Sequence, residues 1–110
     1  MANLAEFVFL DASSTSTTSN TFYVPYGADE VVLQVKSSGT PDVTVKGKTD
    51  RENGDFVTLS AINQTGYKLV DKIEANGIYS VAASGIREMQ VVNGGSAGSV
   101  TVFGAAVGEG

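Results

Sequence analysis

Residues 77–103 read GIYSVAASGIREMQVVNGGSAGSVTVF, and the punctuation of this stretch decides the fold. Ile78-Tyr79-Ser80-Val81 and Met89-Gln90-Val91-Val92 are short runs rich in β-branched and aromatic residues, the composition of strands that pack on a pleated surface. Val100-Thr101-Val102-Phe103 alternates apolar with polar in the period of two that a half-buried strand requires. Asn76-Gly77, Ser84-Gly85 and Asn93-Gly94-Gly95 separate the runs, and glycine and asparagine accept the positive φ at which other side chains clash, so the chain reverses there. Three strand signals with turns between them predict the closing half of a small β-sandwich.

Working outward, the same signals recur. Leu4 to Leu10 (LAEFVFL) predicts a first strand with Phe7 and Phe9 on one face and Val8 and Leu10 on the other. Apolar side chains on both faces predict burial on both sides, as in an interface or under a second sheet. Ala12 to Thr21 (ASSTSTTSNT) is a hydroxyl-rich run that offers no apolar side chain of any size to a core, which reads as a loop or extended linker. Such a linker invites the first strand to exchange with a neighbouring subunit, although a mobile surface loop within one subunit is the reading that loop lengths favour. Phe22-Tyr23-Val24 predicts a short strand stopped by Pro25, which has no N–H for a ladder. Glu30 to Lys36 places Val31, Leu33 and Val35 on one face, and Asp42 to Gly47 places Val43 and Val45 likewise, so these two are expected to pair as a hairpin across Ser38-Gly39-Thr40-Pro41. Lys48 to Asp55 is a polar loop with an Asn53-Gly54 turn signal. Phe56 to Leu59 and Tyr67 to Ile73 resume strand character, the latter with Tyr67, Leu69 and Ile73 on one face, and a single weak helical turn falls near Ala61. The expectation is an all-β, single-domain antiparallel β-sandwich or jelly roll of about eight strands. Its divisions would be an N-terminal strand and Ser/Thr arm over 1–20, the sandwich over 21–104, and a flexible tail over 105–110.

Composition narrows the function. The 110 residues carry 7 basic against 12 acidic side chains, a net charge of −5, and the basic ones are dispersed, whereas phosphate binding needs a concentrated positive field. Nucleic acid is therefore not an expected partner. No apolar run reaches the ~18 residues of a membrane span, and the N-terminus lacks the plan of a signal peptide, which predicts a chain made in a cytoplasm with no membrane partner. The absence of cysteine leaves the fold to its core alone. With histidine missing as well, the usual base near neutral pH, the thiolate nucleophile and every imidazole or thiolate metal site are gone, so neither an enzyme nor a cofactor is expected.

Three sets of residues remain as candidate sites. Asp50, Glu52 and Asp55 bring three carboxylates into one glycine-containing loop, the hard-oxygen chemistry that calcium prefers, but the spacing is not that of a calcium loop and Arg51 sits inside it as a competing cation. A solvated acidic turn is the reading taken. Tyr23 and Tyr26, among the tyrosines at 23, 26, 67 and 79, are the candidates for a ring platform on which a sugar stacks; the competing reading is a tyrosine at the core edge with its hydroxyl at the surface. Leu4, Phe7, Phe9 and Leu10 are the candidates for docking a partner or exchanging between subunits, with the Ser/Thr run as tether.

The succession of a Gly-Ile-Tyr strand, a small residue then glycine, an arginine-containing strand and a glycine-rich turn before Val-Thr-Val, as these stand between Gly77 and Val102, resembles small virion proteins of tailed bacteriophages and prophages. A strand followed by a Ser/Thr-rich loop at the start agrees with it. The resemblance implies a β-sandwich or jelly-roll module that decorates a capsid or forms a head fibre or tail part, with the major capsid protein or another virion protein as partner and the virion as destination. It implies binding through surfaces rather than a catalytic motif, and a symmetric homo-oligomer, for which a trimer suits both a fibre and a capsid threefold position. The alternative is a carbohydrate- or surface-binding module, such as one at a phage tail.

Overall fold

The computed structural model describes residues 2–95 and 98–108. Eleven strands are present among them: β1 (Ala2–Ser13), β2 (Thr17–Thr18), β3 (Phe22–Tyr23), β4 (Ala28–Ser37), β5 (Val43–Lys48), β6 (Val57–Leu59), β7 (Ala61–Asn63), β8 (Lys68–Val70), β9 (Gly77–Ala82), β10 (Glu88–Asn93) and β11 (Val100–Gly108). They form two antiparallel sheets, one of six strands in the order β1-β11-β4-β9-β7-β8 and one running β2-β10-β5-β6, with β3 also on β10. The all-β sandwich of the sequence reading is thus the fold, with more strands than the eight expected. The additional ones are two- and three-residue segments. One of them, β7, occupies the place of the expected helical turn at Ala61, which is buried and paired into the sheet between β8 and β9.

The strands that decide the fold are not neighbours of one another. β9 and β11 belong to the six-stranded sheet, where both flank β4, while β10 lies across the core in the other sheet. The expected hairpin of β4 with β5 is likewise absent: β4 pairs with β11 and β9, β5 pairs with β10 and β6, and Ser38 to Pro41 carries the chain from one sheet to the other. Period-two alternation fixes which side chains face inward. It does not distinguish a strand beside its predecessor from one opposite it, and here Val31, Leu33 and Val35 meet Val43 and Val45 across the core. With Tyr79, Ile73, Met89, Val81, Val91, Val100 and Val102 these residues are almost wholly buried. Each such side chain contributes roughly 1.5–3 kcal/mol by leaving water, which is what a fold without disulfides depends on.

The described residues begin and end in strands. β11 runs on to Gly108 between β1 and β4, so the tail expected from residue 105 instead continues the strand as far as Gly108; Glu109 and Gly110 lie outside the described residues. Its length is matched by β1, whose pairing with β11 spans Ala2↔Gly108 to Ser13↔Val100. Tyr67 to Ile73 is the reverse case. Only Lys68–Val70 is strand, Tyr67 turns out of it at φ 53°, and Ile73 alone of the three expected inward residues is buried.

Candidate docking face

β1 carries the four residues the sequence points to for docking, and a β-bulge decides where they go. Val8 lies opposite Phe103 and Leu10 opposite Val102, so Phe9 is an extra residue in the ladder, and the kink turns Phe9 and Leu10 to the same side. The expected split of Phe7 and Phe9 from Val8 and Leu10 therefore fails at Leu10. Phe9 (5% exposed) and Leu10 (3%) are in the core, with Leu4 and Phe7 packed against it. The Phe9 ring meets Phe7 edge-on at 4.9 Å and Phe22 at 5.7 Å, while Phe7 and Phe22 stack at 5.1 Å. Phe22 stands on the other sheet, so the three rings join the two layers, and aromatic pairs of this geometry add about 0.5–1.5 kcal/mol each beyond burial. Room for Phe9 comes from Gly104: a Cβ there would lie 2.6 Å from Phe9 Cε2. Phe9 and Leu10 are consequently committed to the interior of their own chain, with Leu4 and Phe7 half-buried against it, and the large apolar side chain that β1 presents outward is Val8.

Val8 begins a row that crosses the outer face of the six-stranded sheet. It lies opposite Phe103 on β11, Phe103 opposite Gln34 on β4, and Gln34 opposite Ile78 on β9. One row over, Ala105, Val32, Ser80, Ile62 and Leu69 follow one another across β11, β4, β9, β7 and β8. Val8 (51%), Phe103 (40%), Ile78 and Ile62 are exposed, and Leu69 (63%) more so. These two rows form an apolar band from one edge of the sheet to the other, the kind of surface that marks a site of protein association. Glu6, Glu30 and Lys36 stand at its borders, on the same face by register. The alternation that makes these strands recognisable also hides the band, because their outward positions read only as the non-core side.

The Ser/Thr run is no tether. Thr17 and Thr18 pair with β10, and Ser19 exchanges bonds with Val91: its N–H donates to the Val91 carbonyl at 2.9 Å and its Oγ accepts from the Val91 N–H at 2.9 Å. Gln90 Nε2 donates to Thr21 Oγ1 at 3.0 Å. Asn93, fully buried, directs Nδ2 at the Ser13 carbonyl (3.3 Å), Ser13 Oγ (3.1 Å) and the Thr15 carbonyl (3.2 Å). The hydroxyl-rich segment is therefore held by hydrogen bonds where other segments are held by apolar contact, and the first strand packs in its own chain.

The tyrosines divide as the sequence could not foresee. Tyr79 is a core residue whose hydroxyl donates to the Ala75 carbonyl at 2.7 Å, and burial pushes its phenol above the usual range. Tyr23, Tyr67 and Tyr26 are exposed, Tyr26 almost wholly at 91%. Tyr26 stands beside the acidic loop. In that loop Asp50 Oδ1 accepts from the Glu52 N–H (2.8 Å) and the Asn53 N–H (3.2 Å), which holds its carboxyl below the usual range. Asp50, Glu52 and Asp55 do not gather as ligands: among the described residues no three acidic side chains are grouped to hold a metal ion. The loop instead forms one wall of an open cleft of about 400 Å³ with Tyr26 and Arg87.

No family model and no curated protein matches the chain. Solved structures do. The SPBc2 prophage-derived protein YomS superposes over 93% of this chain and 90% of its own, with a TM-score of 0.81 and 21% identity. The chain has the fold of a prophage-derived protein. The PBSX exported protein XepA matches over the same share of the chain with a TM-score of 0.83 and 16% identity, but the match spans only 37% of XepA, so this chain corresponds to about a third of that protein. At these identities the likeness is one of fold.

Proposed function

We propose that the chain is a non-enzymatic structural protein of a phage particle, a capsid-decoration or head-fibre component that assembles in the host cytoplasm. It docks on the major capsid protein or another virion protein and stabilises the shell. The observation that carries this reading is the apolar band of Val8, Phe103, Ile78, Ile62 and Leu69 on a sheet face that has no second layer of its own chain. Its fold, shared almost end to end with a prophage-derived protein, supports the setting, and the lack of histidine and cysteine supports a binding role over a catalytic one. A lattice of repeated sites multiplies modest affinities, so a band of this kind suffices without a deep pocket. A homo-oligomer, a trimer by preference, would present several such bands at once. The test is the copy number of the polypeptide in purified particles, by quantitative mass spectrometry against the major capsid protein. A ratio near one, or a simple fraction of it, supports decoration; a handful of copies moves the protein to a fibre or the tail; absence from particles sinks the proposal.

A second reading, a carbohydrate- or surface-binding module such as one at a phage tail, is favoured by a different observation. Tyr26 and Tyr23 lie on the surface rather than at the core edge, with Tyr26 open on nearly its whole area.

A further inference from the structure

We infer that the cleft between Tyr26, Arg51 and Arg87 is a binding site for an acidic saccharide, a sugar ring carrying a carboxylate; this rests on the surface-binding reading and gives it a ligand. The chain has only two arginines, Arg51 and Arg87, and although far apart in sequence they line this one cleft together with Tyr26, Thr49, Asp50 and Glu52. A second cleft, of about 260 Å³, opens on the other side of the same Tyr26 and Arg87, bounded by the 25–29 and 83–86 turns. Among the described residues neither guanidinium has an ion-pair partner, whereas Lys48 and Lys72 do, with Glu88 and Asp42.

The surroundings hold these groups in place. The Arg87 carbonyl accepts from the Val24 N–H at 2.9 Å and the Arg87 N–H donates to the Lys48 carbonyl at 2.9 Å, fixing its backbone between two neighbouring segments. The turn before it closes through the Ile86 N–H to the Ala83 carbonyl at 2.9 Å, with Gly85 at φ 84°. Arg51 sits in the turn that the Asp50 carboxylate closes, and its carbonyl accepts from Lys48 Nζ at 3.3 Å. The Arg87 guanidinium lies 5.8 Å from the centre of the Tyr26 ring, loosely over it, and the ring keeps 91% of its surface open.

The donor set selects the ligand. Arginines only donate and match a carboxylate with two parallel bonds; Glu52 only accepts; Thr49 and the Tyr26 hydroxyl do both. A bare inorganic anion would meet the Asp50 and Glu52 carboxylates as like charges and bring no hydroxyl to donate to them. A neutral sugar would satisfy Glu52 with a hydroxyl but bring no carboxylate to the two guanidinia, with which neither Asp50 nor Glu52 of the same cleft forms an ion pair. A sugar acid satisfies both, and its apolar ring face fits an exposed aromatic ring.

Isothermal titration of the full chain with oligogalacturonate, its methyl ester and pyrophosphate tests this. Binding of the acid at least ~10-fold tighter than of ester or pyrophosphate is expected, with a loss of ~10-fold or more in Arg87→Gln and in Arg51→Gln, as befits charge-assisted bonds. Tyr26→Ala should weaken binding similarly while Tyr26→Phe keeps it within ~3-fold, since the ring is the platform. Tyr26 and Arg51 are exposed, so the fold should be unaffected, which circular dichroism checks. Equal binding of acid and ester overturns the acidic ligand and leaves the surface-binding reading standing. Pyrophosphate binding as tightly as the acid overturns the saccharide. No binding of any probe overturns both.

Discussion

Both sheets of this sandwich bury apolar inner faces, but they finish their outer faces differently. On the five-stranded sheet the outward row across the middle is Gln90, Lys46 and Thr58, and Lys48 beside it lies opposite Glu88, with their charged groups 3.9 Å apart. On the six-stranded sheet the corresponding rows are Val8-Phe103-Gln34-Ile78 and Ala105-Val32-Ser80-Ile62-Leu69. The first surface is polar, and its Lys48–Glu88 pair is already joined and largely shielded from solvent. The second leaves apolar area in water, which a fold tolerates singly but which in a band across several strands is a standing gain for any partner that covers it. The six-stranded sheet is the larger and supplies most of the core, but both inner faces are apolar, so the difference that bears on binding lies in the outward positions.

Adjacent residues of β11 allow the inner and outer faces to be broken separately. Gly104 points inward beneath Phe9 and against Leu33, whose Cδ2 would lie 3.2 Å from an added Cβ. Gly104→Val is expected to destabilise the domain by about 3 kcal/mol, the upper range for overpacking a closed core, read as a lower denaturant midpoint at unchanged slope. A variant as stable as the parent would mean that the Phe7-Phe9-Phe22 cluster yields easily and does not lock the two layers.

Asn93→Ala acts where the end of β1 and the hydroxyl-rich crossing are fastened to the five-stranded sheet. It removes the amide that reaches the Ser13 and Thr15 carbonyls and Ser13 Oγ, and a loss of about 2 kcal/mol follows from leaving such groups without their partner. Amide exchange should quicken over 13–21 and 90–95 while β4 and β9 keep their protection. Uniform loss of protection would show that the sheets do not fail independently.

Phe103→Lys should cost under about 1 kcal/mol, the scale of a cross-strand pair, because the ring is 40% exposed. Particle incorporation is nevertheless expected to fall sharply. Lys46→Glu on the opposite outer face serves as its counterpart and should leave incorporation unchanged. Equal effects of the two, or none, would remove the apolar band from any part in docking.

Much of this is legible in the sequence. Val31, Leu33, Val35, Val43 and Val45 all face inward, because period two reports burial directly. What it does not report is partnership. The β4–β5 hairpin fails since strands opposite and strands adjacent alternate alike, and the bulge at Phe9 reverses Leu10 through one residue that no local pattern marks. The segment Ala12 to Thr21 reads as a loop or extended linker for a chemical reason: apolar side chains are the sign by which a packed segment is recognised, whereas Ser19 and Asn93 fasten this crossing by hydrogen bonds. The bringing together of Arg51, Arg87 and Tyr26 depends on three turns meeting at one end of the sandwich, and only the topology supplies that. The clue in the sequence is that two arginines are all the chain has.

The smallest effect concerns the loop that closes the five-stranded sheet between β5 and β6. The Glu52 and Asn53 amides bonded to Asp50 Oδ1 favour its ionised form and lower its folded pKa below the value of an unfolded aspartate, about 3.9. A depressed carboxyl supports the folded loop above that unfolded value and withdraws the support as pH falls through the folded one, so the loop should loosen only in the acid range below about 4. Asp50→Asn keeps an oxygen to accept the same two N–H groups but has no proton to gain. The Asn53 amide resonance should therefore move with pH in the parent below about 4 and move far less in the variant. Parallel titration in both would place the acid-sensitive group elsewhere, and the rigid wall ascribed to this loop would lose its anchor.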